Sequence, residues 1–256
     1  MSSVDLPLVS VVVTGYKRPK ELARTIESFL SVVQYEPLEL VLADDGSPEE
    51  LRAPMRELPF DHFVFAERNR GLGANTNAGL AAAKGEFIFQ LEDDWLCTGP
   101  ADFLARGVEL LRARPEIGIV RYTRVFSDSD ELPPHEVPGW DSTVKIFRPE
   151  AGSDYFLYSN HPHLKSREFM EYMGPYKESR YMQRSEFDMR DRFNAQSRYA
   201  AALIEGCDSF AHIGEESSHR RPLPAARVGM FLDRFPPLRP LANVLRRLKR
   251  MVHPGP

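Results

Sequence analysis

Three apolar runs near the N-terminus end in the same way. "PLVSVVVTGY", "LELVLADDGS" and "EFIFQLEDDW" begin with branched or aromatic side chains and finish in polar or acidic ones. Short apolar runs bounded by turn signals read as buried strands, and helical patterns lie between these three. After the first run, Leu22, Ile26, Phe29, Leu30 and Val33 recur at helical spacing, with Pro19 suited to the first turn. "HFVFAE" adds a short strand, and "GLGANTNAGLAAAKG" is an Ala-rich helix closed by Gly85. A helix from about Asp102 to Arg114 stops at Pro115, and "IGIVRY" follows as another buried strand. This alternation predicts an α/β fold with a mostly parallel central sheet and helices on both faces. Ligands of such sheets bind beyond the carboxyl ends of the strands. Thr14, Asp44, Asp45, Glu92, Asp93 and Asp94 all fall there.

The crowding of Glu92, Asp93 and Asp94 at one strand end needs an explanation of its own. Adjacent carboxylates repel, and covering them costs solvation unless a cation, a proton or a polar ligand offsets the charge. A solvated acidic turn is the bland alternative. The phosphate-binding glycine patterns are missing: "TGYKRP" has one glycine where a dinucleotide fold needs three, and no Gly-Lys-Ser/Thr sequence occurs. A diphosphate would then be held by a divalent cation, Mn2+ or Mg2+, because hard cations bridge carboxylate and phosphate oxygens.

Composition limits the partners. A chain of 256 residues with 42% hydrophobic side chains can bury a core, and its formal net charge of -4 lacks the basic field that nucleic acid requires, so no nucleic-acid partner is expected. Cys97 and Cys207 have no zinc-type spacing and suit free thiols in a reducing compartment, with a disulfide between them as the alternative. The run Leu8 to Val13 is too short for a signal core or a membrane span, so the expectation is a cytoplasmic protein without a transmembrane helix.

The order "VSVVVTGYKRP", "LVLADDGSPEE", "NRGLGANTNAGLAAAKGEFIFQLEDDW" resembles the nucleotide-sugar-binding half of the family-2 glycosyltransferases, which have the GT-A fold; the resemblance covers residues 8 to about 122. It implies that Thr14 and Tyr16, with Arg18 just beyond, form the turn that packs on the base, and that Asp45 meets the uracil imide. It also implies that Glu92, Asp93 and Asp94 stand where the family's Asp-x-Asp motif holds ribose and metal, with Glu in the first position as a departure. Several GT-A enzymes add a late histidine to the metal shell. His212, after an apolar strand end, matches, so the implied metal set is Asp94, Glu92 and His212. Arg70 could contact phosphate or be an ordinary surface arginine. Asn75 and Asn77, unfavourable inside a helix, point to a polar contact near the site or a helix-start hydrogen bond.

The resemblance places the base at the start of a late helix, and "RSEFDMRDRF" matches with Glu186 at the base position and Asp188 two residues on. Ser185 could equally be a helix N-cap with both acids in the first turn. "YFLY", residues 155 to 158, reads as a strand, with His161 and His163 after it as pocket-lining or plain loop residues. Arg220 and Arg221 could meet diphosphate or belong to a closing loop.

The implied protein is a GT-A domain over residues 1 to 221, with donor half 8 to 122 and acceptor half 123 to 221, and a basic, Pro-rich tail over 222 to 256. Leu241, Val244, Leu245, Leu248 and Met251 share one face of a basic helix in that tail, which suits peripheral contact with an anionic membrane or packing on protein. The implied activity is metal-dependent, inverting transfer from a UDP-sugar to a carbohydrate, lipid-linked or other hydroxyl acceptor. A nucleotide-sugar-binding or lectin-like module without catalysis, and a sugar nucleotidyltransferase, are the alternatives; Glu186 separates the first, because binding needs no base.

Overall fold

Strand β1 (Val9–Gly15) is buried at every position, which its unbroken run of branched side chains anticipates for a strand covered on both faces. The computed structural model describes residues 6–124, 136–137, 143–153 and 155–214. In chain order the elements are α1 (Pro19–Val32), β2 (Leu38–Asp44), α2 (Glu49–Arg56), β3 (His62–Phe65), α3 (Leu72–Ala82), β4 (Phe87–Glu92), β5 (Trp95–Cys97), α4 (Phe103–Ala113), β6 (Ile117–Arg121), β7 (Glu136–Val137), β8 (Val144–Phe147), β9 (His163–Ser166), α5 (Arg167–Met173), α6 (Met182–Ala195), β10 (Ala200–Ile204) and β11 (Phe210–His212).

Among the described residues nine strands form one sheet in the order β3-β2-β1-β4-β9-β6-β10-β8-β7. β1 pairs in parallel with β2 and β4, β2 with β3, and β10 with β6. Only β9 and β8 run against the rest. The mostly parallel sheet expected from the sequence is present, and β1, β2 and β4 deliver their carboxyl ends to one edge in register: Thr14 lies opposite both Ala43 and Glu92.

Each face of the sheet is covered by helices. On one side Val11, Val13, Leu42, Phe89 and Leu91 pack with Leu22, Ile26 and Phe29 of α1 and Phe103, Leu104 and Val108 of α4. On the other, Val12, Val41, Ile88 and Ile119 meet Leu80 of α3, Phe169 of α5 and Met189 and Phe193 of α6. Alternate residues of one strand therefore serve two cores, as the two-residue side-chain period requires. The remaining pair, β11 and β5, is antiparallel and sets His212 opposite Trp95.

Two expectations are corrected. Residues 155 to 158 form no strand; they lie in irregular backbone between β8 and β9. Helix α6 begins at Met182 with Tyr181 at the N-cap, so Ser185 is inside the helix, buried, donating to the Lys177 carbonyl at 2.7 Å. Its affinity for a carbonyl outside the helix, rather than for a helix-end amide, explains why a capping residue type sits there. Arg220, Arg221 and the 222–256 tail lie outside the described residues.

Candidate active site

The carboxyl ends of β1, β2 and β4 open into a cleft of about 810 Å3. Of the residues singled out from the sequence, Thr14, Tyr16, Arg18, Asp45, Asn75, Glu92 and Asp94 line it together. Gly15, Asn69, Gly71, Leu72, Arg180 and Met182 complete the lining; nothing in the sequence patterns marked these as site residues, because they reach the cleft through the packing of separate chain segments on one another.

The first turn after β1 is folded around Asp93. Its Oδ2 accepts the Tyr16 amide at 3.1 Å, its Oδ1 pairs with Arg18 at 2.6 Å, and its own amide donates to the Thr14 carbonyl at 3.0 Å. Asp93 is 1% exposed and does not line the cleft, so its part is to shape the turn that presents Tyr16 and Arg18. Burial outweighs the guanidinium and lifts its carboxyl to about 7.

Asp94 does face the cleft. Its Oδ2 lies 2.5 Å from the second terminal nitrogen of Arg18 and 3.2 Å from His212 Nε2. Burial works against ionisation, but the bond to His212 and the charge of Arg18 overcome it and hold the Asp94 carboxyl below its ordinary value. Its Oδ1 is buried without a hydrogen-bond partner among the described residues. β11 achieves the meeting with His212, its pairing with β5 being continued by the Ile213 amide on the Asp94 carbonyl at 2.9 Å.

This arrangement fits a divalent cation in part. A carboxylate oxygen with a free lone pair next to an imidazole nitrogen is a suitable two-residue donor set, with phosphate oxygens completing the shell. Among the described residues no group of three His, Cys, Asp or Glu side chains is arranged for a metal by the protein alone. Any cation would therefore depend on ligands from outside the protein for its remaining positions. Arg18 is the resident positive charge of the cluster, forked between two aspartates.

Asp45 holds the opposite wall. Its two oxygens accept the backbone amides of Arg70 and Gly71, at 2.8 and 2.9 Å, fixing the chain as it enters α3. Burial keeps the Asp45 carboxyl above its ordinary value despite those donors. Asn75, in the first turn of α3, donates to the Ala43 carbonyl at 2.9 Å and so ties the helix to the end of β2, the polar contact its type suggested. Asp44 accepts the Ser47 amide at 2.8 Å and caps its turn. Arg70 turns outward to Glu178 at 2.5 Å and is absent from the cleft lining.

Helix α6 brings the remaining acids. Met182 lines the cleft, and Glu186, four residues on, shares its helix face but, like His212, is not among the lining residues. Asn160 Nδ2 donates to Glu186 Oε1 at 3.3 Å. Asp188 points elsewhere, to Arg192 at 2.9 Å and Lys177 at 3.8 Å. His161 and His212 flank Trp95, ring centres 5.0 and 4.9 Å away. His163 is buried in the sheet beside Tyr158.

The sequence profile described as glycosyl transferase family 2 matches residues 10–177. The chain is 29% identical over 129 residues to an uncharacterized glycosyltransferase of Nostoc sp., covering 48% of this chain and 38% of that protein. It is 30% identical over 164 residues to the succinoglycan biosynthesis protein ExoO of Rhizobium meliloti, covering 59% and 46%. Over 94 residues it is 30% identical to the GalNAc(5)-diNAcBac-PP-undecaprenol beta-1,3-glucosyltransferase of Campylobacter jejuni, covering 35% and 30%. The chain thus spans less than half the length of these relatives. Among solved structures, S. aureus TarS 1-349 in complex with UDP-GlcNAc superposes with a TM-score of 0.58 at 16% identity, over 82% of this chain and 61% of that one.

Proposed function

The chain belongs to glycosyl transferase family 2 and has the GT-A fold, and from that premise we propose that it transfers a sugar from a nucleotide diphosphate to an acceptor hydroxyl with inversion. The observation that carries the reading is the convergence of Thr14, Tyr16, Asp45 and Asp94 on one cleft at the carboxyl edge of the sheet. A UDP-sugar is the proposed donor. The base would rest in the turn of Tyr16 with Asp45 toward its imide, and Thr14, Asn75 and Glu92 would line the ribose side. The solved relative with UDP-GlcNAc bound supports the class of donor.

Asp94 and His212, with Glu92 close by on β4, are the residues that would hold a divalent cation, manganese or magnesium, whose chemistry is to neutralise charge on the departing diphosphate. Glu186 is the proposed base. Its carboxylate takes the proton of the acceptor hydroxyl as that oxygen bonds to the anomeric carbon, and the bond to the diphosphate breaks on the opposite face. Asp188, held in its ion pairs, keeps the helix surface ordered instead. The acceptor is proposed to be a saccharide or a lipid-linked saccharide, in line with the printed names of the Rhizobium and Campylobacter relatives. Among the described residues no helix is long and apolar enough to cross a membrane. Contact with a membrane at its cytoplasmic face, through the 222–256 tail, belongs to the same proposal.

Screening UDP-sugars for metal-dependent turnover, then testing Glu186→Gln, decides the matter. The variant keeps the size of the side chain but cannot take a proton. UDP affinity should stay at the wild-type value while transfer falls by about a hundredfold or more. Transfer at the wild-type rate by Glu186→Gln together with its loss in Asp188→Asn would move the base to Asp188. Full activity in both would leave the mechanism without support.

A further inference from the structure

Lys165 is fully buried in the middle of the sheet, on β9 between β4 and β6. Its ammonium donates to Gln90 Oε1 at 2.7 Å and to the Tyr158 hydroxyl at 2.7 Å, with the rings of Tyr158 and Tyr176 at 5.2 and 5.7 Å. Among the described residues no carboxylate pairs with it. Gln90, also fully buried, donates through Nε2 to Asn160 Oδ1 at 3.2 Å, and Asn160 in turn donates to Glu186. One unbroken line of hydrogen bonds runs from the sheet centre to the proposed base.

The direction of that line is fixed by its ends. A lysine nitrogen donates and an ionised carboxylate accepts, so each amide between them has a single consistent orientation: oxygen toward Lys165, nitrogen toward Glu186. A purely structural role does not require a lysine. Burying an amine without an acid costs solvation, and an unbranched apolar side chain of similar length would fill the space without that cost. Such a side chain would leave the Gln90 oxygen with the Tyr176 hydroxyl, at 3.1 Å, in place of two donors, and would hold the Asn160 amide less firmly through it.

We propose that Lys165, Gln90 and Asn160 form a buried positioning chain that orients Glu186 and favours its ionised form, Asn160 being the positioning residue in contact with it. The proposal rests on the reading of Glu186 as the base. The titratable groups packed around the chain are Tyr158, Tyr176 and His163, with Arg192 of α6 near Tyr158 and Arg121 of β6 near His163. Burial holds both phenols protonated and His163 neutral. Lys165 and Glu186 are thus the donor and acceptor ends of the chain.

The test follows the Glu186 carboxyl itself, by carbon NMR of glutamate-labelled full-length protein, with the signal assigned by its loss in Glu186→Gln. Asn160→Leu removes the donor in contact and should raise the Glu186 midpoint by about half a pH unit or more. Lys165→Met should raise it in the same direction by less, while UDP affinity in calorimetry stays the same. An unchanged midpoint in folded Asn160→Leu overturns the proposal, and that variant decides alone if Lys165→Met does not fold. The base reading is judged separately, by the turnover of Glu186→Gln, so each idea can fail without the other. In transfer assays the Asn160 variant should lower kcat and move the acid limb of its pH profile upward with donor KM little changed; a fall in donor affinity instead would mark it as a binding residue and count against the chain.

Discussion

Gly214 lies where the backbone passes over Asp94. A β-carbon at that position would stand 1.9 Å from Asp94 Oδ2 and 2.7 Å from an Arg18 nitrogen, well inside contact distance. Gly214→Ala should therefore displace the Asp94 carboxylate while leaving both sheet faces untouched. Its expected mark is a loss of about tenfold or more in manganese-dependent UDP affinity by calorimetry, with the thermal midpoint of the free protein reduced only slightly. Equal affinity in wild type and variant would mean that Asp94 is not the carboxylate that meets the cation. The strand-end residues were legible in the sequence because an apolar run can end in only one place, and Thr14, Asp45 and Asp94 mark it. Gln90 and Lys165 were legible in principle: a polar side chain inside the otherwise apolar "FIFQLE" strand must find a buried partner. Asn160 carried no such signal, since a loop asparagine acquires its partner only when distant segments fold together.

At the scale of elements, the start of α3 and the loop before α6 behave as one unit. Asn77 of α3 exchanges two bonds with Tyr176, its Nδ2 to the carbonyl at 2.9 Å and its Oδ1 from the amide at 2.8 Å. Gly71 has a φ of 93°, and a β-carbon there would lie 2.0 Å from the Ser179 carbonyl oxygen. Only glycine accepts both that backbone region and that approach. This contact carries Arg180 and Met182 to the cleft. Gly71→Ala should cost about 1–3 kcal/mol in urea unfolding and weaken UDP binding as well, since Asp45 grips the same peptide. A variant as stable as wild type would show the loop to be less tightly seated. Apolar spacing exposed α1 in the sequence, Ala-richness and Gly85 exposed α3, and the stop at Pro115 marked α4; α6 was placed late because Ser185 mimics a cap, whereas its tertiary bond to Lys177 sets its place.

Across the whole molecule, the buried lysine links stability to pH. Burial lowers Lys165 from 10.5 to about 7. Between those values the unfolded chain holds a proton that the folded chain has released, so this group's contribution to stability rises with pH through the window. Below the lower value both states are charged, and the folded state bears the full cost of burying that charge. Urea midpoints measured from about pH 7 to pH 10 should accordingly increase more for wild type than for Lys165→Met; parallel profiles would place the titration elsewhere. The α/β class, the layering and the direction of β1, β2 and β4 could be read from the sequence because each follows from local pattern. The antiparallel insertion of β9 could not, since four residues reading "HLKS" carry no directional information.

That insertion also sets an order of events during synthesis. β3, β2, β1 and β4 are contiguous in the sheet and complete once residue 92 has been made, with α1 and α3 available to cover them. β6 leaves the ribosome soon afterwards, yet both of its neighbours, β9 and β10, are still to come. A nascent chain stopped between residues 121 and 163 should hold a formed block of four parallel strands and an unpaired, apolar β6, the interval in which an exposed strand edge invites wrong pairing. Once β9 inserts, it joins β4 to β6 and brings Lys165 to Gln90 in the same step.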